Sequence, residues 1–238
     1  MARMRLDEII RGTGKYTRKQ IIALVNEGRV TVNGEAAEGI SQRCEPEWEI
    51  CVDGERMEML PFVCLMMNKP AGYLTATESE KEPPLTELLE PCWRHLFPVG
   101  RLDLDSEGLI LLTNDGALCH KIIMPAERIT KEYYIEVTGQ FRPDTRQRFR
   151  EGLEADNGLI CLPADIEIAE DGRSARVWVT EGKRHQVKRM AAACGARVSY
   201  LKRLAIGGLR LDETLAPGQY RLLTEEEITA IFKNTQNG

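Results

Sequence analysis

Apolar residues recur at helical spacing in two early stretches of the chain. Leu6, Ile9 and Ile10 share one face of a helix that Gly12 and Gly14 stop, and Ile21, Ile22, Leu24 and Val25 mark a second helix ending at Gly28. Thr17 and Gln20 have capping-box spacing at the start of that second helix. Arg29-Val30-Thr31-Val32 alternates as a strand does, and Asn33-Gly34 is a strong hairpin signal. Residues 40–61 are acidic, with apolar alternation only at Ile50 and Val52, and read as the end of a small domain plus a linker. Beyond them the pattern changes to apolar runs broken by turns. It predicts strands over residues 62–67, 73–77, 108–113, 129–138, 160–168, 175–180, 198–206 and 220–223. Helices are expected over 85–89, 143–152 and 185–194, and a last one opens with a second capping box at Thr224. Strands that follow one another without helices between them imply an α+β fold with a largely antiparallel mixed sheet flanked by helices. The expected domains are residues 1–60 and 61–238.

One stretch carries more than its pattern. Gly100 to Asp115, GRLDLDSEGLILLTND, sets Arg101, Asp103 and Asp105 directly before a continuous apolar run, 108–113, that reads as a buried strand. Asn114-Asp115-Gly116 then reads as a turn. An arginine and carboxylates beside a rigid strand point to a site rather than a solvated face. Asp103, Asp105 and Glu107 alternate as calcium-loop ligands do, with Gly108 at the sixth loop position, but Asn114 stands where the twelfth-position glutamate belongs, so the calcium reading fails. Asp105 is expected to be a structural carboxylate that accepts backbone hydrogen bonds in the turn.

Composition narrows the class. Of 238 residues, 42% are hydrophobic and 29% charged, ordinary values for a globular protein. No apolar run approaches the ~20 residues that span a bilayer, and the N-terminus lacks the features of a secretory signal; a cytoplasmic, monomeric protein is expected. Seven cysteines, an odd number with no C-x-x-C pair, and three histidines argue against a disulfide framework or a metal site, and neither metal nor cofactor is expected.

The net charge of −5 speaks against a nucleic-acid partner, but its distribution reverses that. Residues 1–34 carry seven Lys/Arg against three acids, and residues 183–210 carry eight Lys/Arg and no acid. Two basic patches on an acidic body fit an electrostatic footprint for phosphates. Within the second, Arg184 and Lys188 stack at i, i+4 on the expected helix, as do His185 and Arg189. A row of cations without acids implies an anion upon it, either RNA phosphate or a buried carboxylate.

The ordered set R-L-D-x-I-I … T-R-K-x-I-x-x-L-V-x-x-G-R-V-x-V-N-G resembles the small RNA-binding domain first described in ribosomal small-subunit protein four. That resemblance makes Arg5, Arg18, Lys19 and Arg29 candidate phosphate contacts. Behind it stand G-R-L-D-x-D-x-x-G-L-x-L-L-T-N-D-G, then Lys131-Glu132-Tyr133, then E-G-x-x-H-Q-V-K-R-M, Glu181 to Met190. Together these resemble the pseudouridine synthases of the RsuA type, which act on bacterial ribosomal RNA, over almost the whole chain.

The resemblance implies that Asp103 is the essential carboxylate, that Lys188 keeps it ionised, and that Tyr133 stacks on the uracil. Arg101 would take the space of a flipped base, and Leu204 and Ile206 would form apolar walls. Arg184, His185 and Arg189 would bind RNA. The implied reaction is isomerisation of a uridine in small-subunit ribosomal RNA, free or in an assembly intermediate. The same reaction on large-subunit RNA, or a catalytically silent RNA-binding assembly factor, is the alternative.

Overall fold

In a computed structural model of the chain, which describes residues 3–45, 47–58 and 62–233, the apolar faces near the N-terminus close over a small core. β1 (Met4–Arg5) leads into α1 (Leu6–Gly12), and α2 (Arg18–Asn26) follows a turn. The Thr17 hydroxyl accepts from the Gln20 amide, and the Gln20 side chain accepts from the Thr17 amide at 2.8 Å, a complete capping box. β2 (Val30–Val32) turns into β3 (Glu35–Ala36). The acidic stretch read as the end of the small domain plus a linker adds β4 (Arg43–Cys44), β5 (Ile50–Val52) and β6 (Glu55–Arg56) to that domain. Its short alternation hid three strands of two or three residues. β5 lies between β2 and β6, so Ile50 and Val52 close the core over Leu6, Ile10 and Ile21. These elements belong to one compact unit, Met1–Val63 with Asn114–Gly116; Cys64–Thr113 and Ala117–Gly238 form a second.

The second unit contains β7 (Cys64–Lys69), β8 (Phe97–Pro98), β9 (Glu107–Thr113), most of α3 (Gly116–Ile123), β10 (Lys131–Gly139) and α4 (Thr145–Glu151). It continues with β11 (Leu153–Ala155), β12 (Leu159–Cys161), β13 (Asp165–Ile168), β14 (Ser174–Val179) and α5 (Gln186–Ala193). β15 (Ala196–Ile206), β16 (Leu209–Arg210), β17 (Tyr220–Leu222) and α6 (Glu225–Ala230) complete it. The main sheet runs β13-β14-β10-β15-β9-β7-β17, with β16 on β15 and β8 on β9. Its pairings are antiparallel except β9 with β15, so the fold is mixed α+β with a largely antiparallel sheet. Phe149 of α4 and Val187, Met190 and Ala191 of α5 pack on Ile135, Val177 and Leu201 of the sheet, which fixes α5 against β10 and β15.

Three expectations change. Residues 73–77 form no strand; the chain there folds back, with the Leu74 amide bonded to the Pro83 carbonyl at 2.9 Å. The strand expected over 160–168 divides into β12, paired with β11, and β13, paired with β14. The helix expected to begin at His185 begins at Gln186, because His185 takes a left-handed conformation with φ 53°.

The parallel pairing of β9 with β15 depends on one residue. Gly108 sits opposite Arg203 with φ +98°, and a Cβ there would lie 2.2 Å from the Arg203 carbonyl oxygen. Only glycine lets β9 and β15 meet at this point.

Candidate active site

Asp103 lies in the loop that feeds β9, and the loop is pinned along its backbone. Thr75 Oγ1 donates to the Leu102 carbonyl at 2.7 Å and accepts from the Leu102 amide at 3.2 Å. The Gly72 amide donates to the Leu104 carbonyl at 2.8 Å, and the Ser106 amide closes a turn on the Asp103 carbonyl at 3.1 Å. Beneath them Lys69, 0% exposed at the end of β7, donates through Nζ to the carbonyls of Ser106 (2.7 Å), Pro70 (3.0 Å), Asp103 (3.1 Å) and Leu104 (3.4 Å). Burial pushes this ammonium down to about 8, against the opposing pull of Asp105, Glu107 and Asp103. Nothing in the sequence pattern singled out Lys69, because a lysine before Pro70 reads as a turn.

α5 brings the cation. Lys188 Nζ lies 3.3 Å from Asp103 Oδ2, and His185 Nε2 lies 3.4 Å from Asp103 Oδ1. Lys188 is closer still to Asp105 Oδ1, at 2.5 Å. Asp105 was expected to serve the turn through backbone hydrogen bonds; its carboxylate does accept one, from its own amide, but the side chain is 74% exposed and also pairs with Lys188, while Lys69 and Thr75 hold the loop through its carbonyls. Burial would raise the Asp105 carboxyl, but the Lys188 hydrogen bond and charge outweigh it and hold it below the usual carboxylate range. The space between the two carboxylates is thus filled by the protein's own ammonium.

A recess of about 70 Å³ opens beside Asp103. Arg101, Ser106, Tyr133, His185 and Lys188 line it, with apolar walls from Leu102, Val179, Val187 and Leu201. The walls expected from Leu204 and Ile206 lie elsewhere. Glu132 pairs with Ala205 and Tyr133 with Arg203, so Leu204 is the extra residue of a bulge, and it lines a separate depression with Arg176, Lys202 and Arg210. Ile206 is sealed in the core with Leu109, Ile129 and Ile231. A larger depression of about 1030 Å³, lined by Phe141, Arg142, Arg146 and Arg173, does not contain the Asp103–Lys188 pair.

Two buried residues of the Glu181 to Met190 motif, given no role from the sequence, stand in the recess wall. Glu181 accepts from the Leu162 amide (2.9 Å), Gln186 Nε2 (2.7 Å) and Lys183 Nζ (2.9 Å). Gln186 in turn accepts from the Lys183 amide at 3.0 Å, which fixes the start of α5 and with it Lys188.

Three of the row of cations without acids are paired with acids outside it, two of them distant in sequence. Lys188 pairs with Asp103 and Asp105, Arg189 with Asp156, and Lys183 with Glu181. Arg184 is exposed and precedes the helix, so it does not stack on Lys188 as an i, i+4 pair. In the first unit Arg5 and Arg18 share Asp7, and Arg29 is held by Asp53 and Glu27. Lys19 is exposed on α2.

The sequence profile described as RNA pseudouridylate synthase matches residues 63–193. A Bacillus subtilis (strain 168) protein named as an uncharacterized RNA pseudouridine synthase is 40% identical over 231 residues, 94% of this chain and 97% of its own. The Escherichia coli (strain K12) protein named ribosomal small subunit pseudouridine synthase A is 36% identical, covering 96% of this chain and all of its own. A crystal structure of a pseudouridylate synthase superposes with a TM-score of 0.70 at 32% identity, over 96% of this chain and 99% of that one.

Proposed function

Because the chain belongs to the RNA pseudouridylate synthase family, we propose that it isomerises one uridine of small-subunit ribosomal RNA to pseudouridine, with Asp103 as the essential carboxylate. The observation that carries this reading is Asp103 flanked by Lys188 and His185 in a recess shared with Tyr133, in a chain 36% identical end to end with a relative of that name.

The reaction breaks the bond from the sugar to N1 and forms one to C5. The C5 proton leaves and N1 gains one, so the exchange balances without an oxidant. A carboxylate beside the sugar can serve as nucleophile or as charge stabiliser, and the Lys188 ammonium stands 3.3 Å from it. Tyr133, half-buried on β10, offers its ring to the pyrimidine. The base must leave its stack to reach the recess, at about a few kcal/mol, and the exposed Arg101 at the edge is placed to fill the gap it leaves. Arg184, His185 and Arg189 on the catalytic unit, and Arg5, Arg18, Lys19 and Arg29 on the first unit, are the proposed RNA contacts. The first unit supplies affinity as an RNA-binding domain.

Release of tritium from carbon-5-labelled uridine in ribosomal RNA tests the reaction. Asp103→Asn is expected to abolish release and leave RNA affinity largely intact. Turnover in that variant removes Asp103 from the chemistry, and a wild-type protein that binds but releases nothing is an assembly factor instead. Carbodiimide stops lost only from large-subunit RNA in a deletion strain would move the substrate to that subunit.

A further inference from the structure

We propose that the Ser106 hydroxyl holds the target base, by hydrogen bonding to the edge of the pyrimidine when the nucleotide enters the recess; this rests on the isomerase reading above. Ser106 is 1% exposed, and its Oγ has no hydrogen-bond partner among the described residues. A buried hydroxyl left unpaired costs about 1–3 kcal/mol, and folded proteins keep few such groups. This one lines the recess with Asp103, Tyr133 and Leu201.

Local adjustment cannot easily relieve it. The Ser106 amide is tied to the Asp103 carbonyl at 3.1 Å, and its carbonyl to the buried Lys69 ammonium at 2.7 Å. Other polar groups of the recess wall are already committed. Glu181 is bound by Leu162, Gln186 and Lys183, and Gln186 by Glu181 and Lys183. Lys188 is engaged by two carboxylates. Arg101, Tyr133 and His185 also line the recess, and Leu102, Val179, Val187 and Leu201 give it apolar walls. A hydroxyl both donates and accepts, and a uracil edge presents two carbonyl oxygens and an N–H, so the match is chemical. Ser106 also stands in the same pinned turn as Asp103, which fixes the held base relative to the reacting carboxylate.

A group of this kind has a signature that a structural hydroxyl lacks: its removal harms turnover without harming the fold. In the full-length protein, Ser106→Ala is expected to lower kcat/KM for tritium release about tenfold, one neutral hydrogen bond's worth, while the melting temperature holds or rises. Ser106→Cys, which keeps the size with a weaker donor, should fall between the two. Unchanged kcat/KM in Ser106→Ala overturns the proposal. So does a parallel fall in melting temperature and activity, which would make the hydroxyl a structural one. A wild-type chain that releases no tritium fails at the earlier step, and this inference falls with the proposed function.

Discussion

Lys188 sits closer to Asp105, at 2.5 Å, than to Asp103, at 3.3 Å. The two carboxylates compete for one ammonium, and the one proposed for the chemistry holds it less tightly. Asp105 is largely exposed, and an exposed ion pair contributes at most about 1 kcal/mol. Asp105→Asn should therefore leave the melting temperature nearly unchanged and release Lys188 toward Asp103. Activity is expected to stay within about tenfold of wild type, in contrast with its loss in Asp103→Asn. Tritium release from both variants under one set of conditions checks this; equal loss would make Asp105 a partner in the chemistry.

Lys69 is expected to matter for the fold and for the rate. Its ammonium reaches three carbonyls of the loop that carries Asp103, and that of Pro70 beside it. In Lys69→Met those acceptors lose their buried donor, at a cost of about 2–4 kcal/mol. For a domain of this size that corresponds to a melting temperature lower by roughly 5–15 °C. Activity should fall further than stability does at a temperature where the variant is still folded, because the turn bearing Asp103 loses its anchor. Calorimetry together with single-turnover rates separates the two effects.

What could be read from the sequence was what is local. α1, α2 and both capping boxes depend on residues a turn apart, and they form as spaced. β9 was legible because a strand buried on both faces needs a continuous apolar run. α3 was not legible: Asn114-Asp115-Gly116 is strong turn chemistry, and no cap announces the helix starting at Gly116. In the site, Asp103, Tyr133 and Lys188 meet as their motifs imply, but Lys69 and Ser106 gain their meaning only from groups far along the chain or from burial. The misplaced Leu204 has a similar origin. A single bulge residue changes which face of β15 a side chain takes, and nothing within residues 198–206 marks the bulge.

Among the proposed phosphate contacts of the first unit, Lys19 is exposed, whereas Arg29 is gripped by Asp53 at 2.6 Å and Glu27 at 2.9 Å. A phosphate contact releases counterions, so the number of contacts shows in the salt dependence of binding. Lys19→Gln should reduce the slope of log affinity against log salt by about 1 and weaken binding alike across RNA sequences. Asp53→Asn should do the opposite at low salt, by freeing Arg29. Filter binding of ribosomal RNA across a salt series measures both, and an unchanged slope in Lys19→Gln would take that residue out of the footprint.

The pH dependence of Lys69 sets rate against stability. Burial holds its ammonium at about 8 in the folded chain, below its ordinary 10.5. Between those values the unfolded chain keeps a proton that the folded chain has released, so this group makes stability rise with pH across that window. Lys131, pushed down to about 8 by burial and by the charge of Arg203, acts in the same direction. The neutral Lys69 amine, however, has one donor fewer and no charge to offer the carbonyls of Ser106 and Asp103. The turnover rate should therefore fall as pH rises through about 8, while the urea midpoint shows no loss attributable to these two groups. Lys69→Met should lack its share of the stability rise. Activity and urea midpoint falling together over the same range in the wild-type protein, with the same midpoint profile in the variant, would show that the alkaline loss is unfolding rather than loosening of the turn that carries Asp103.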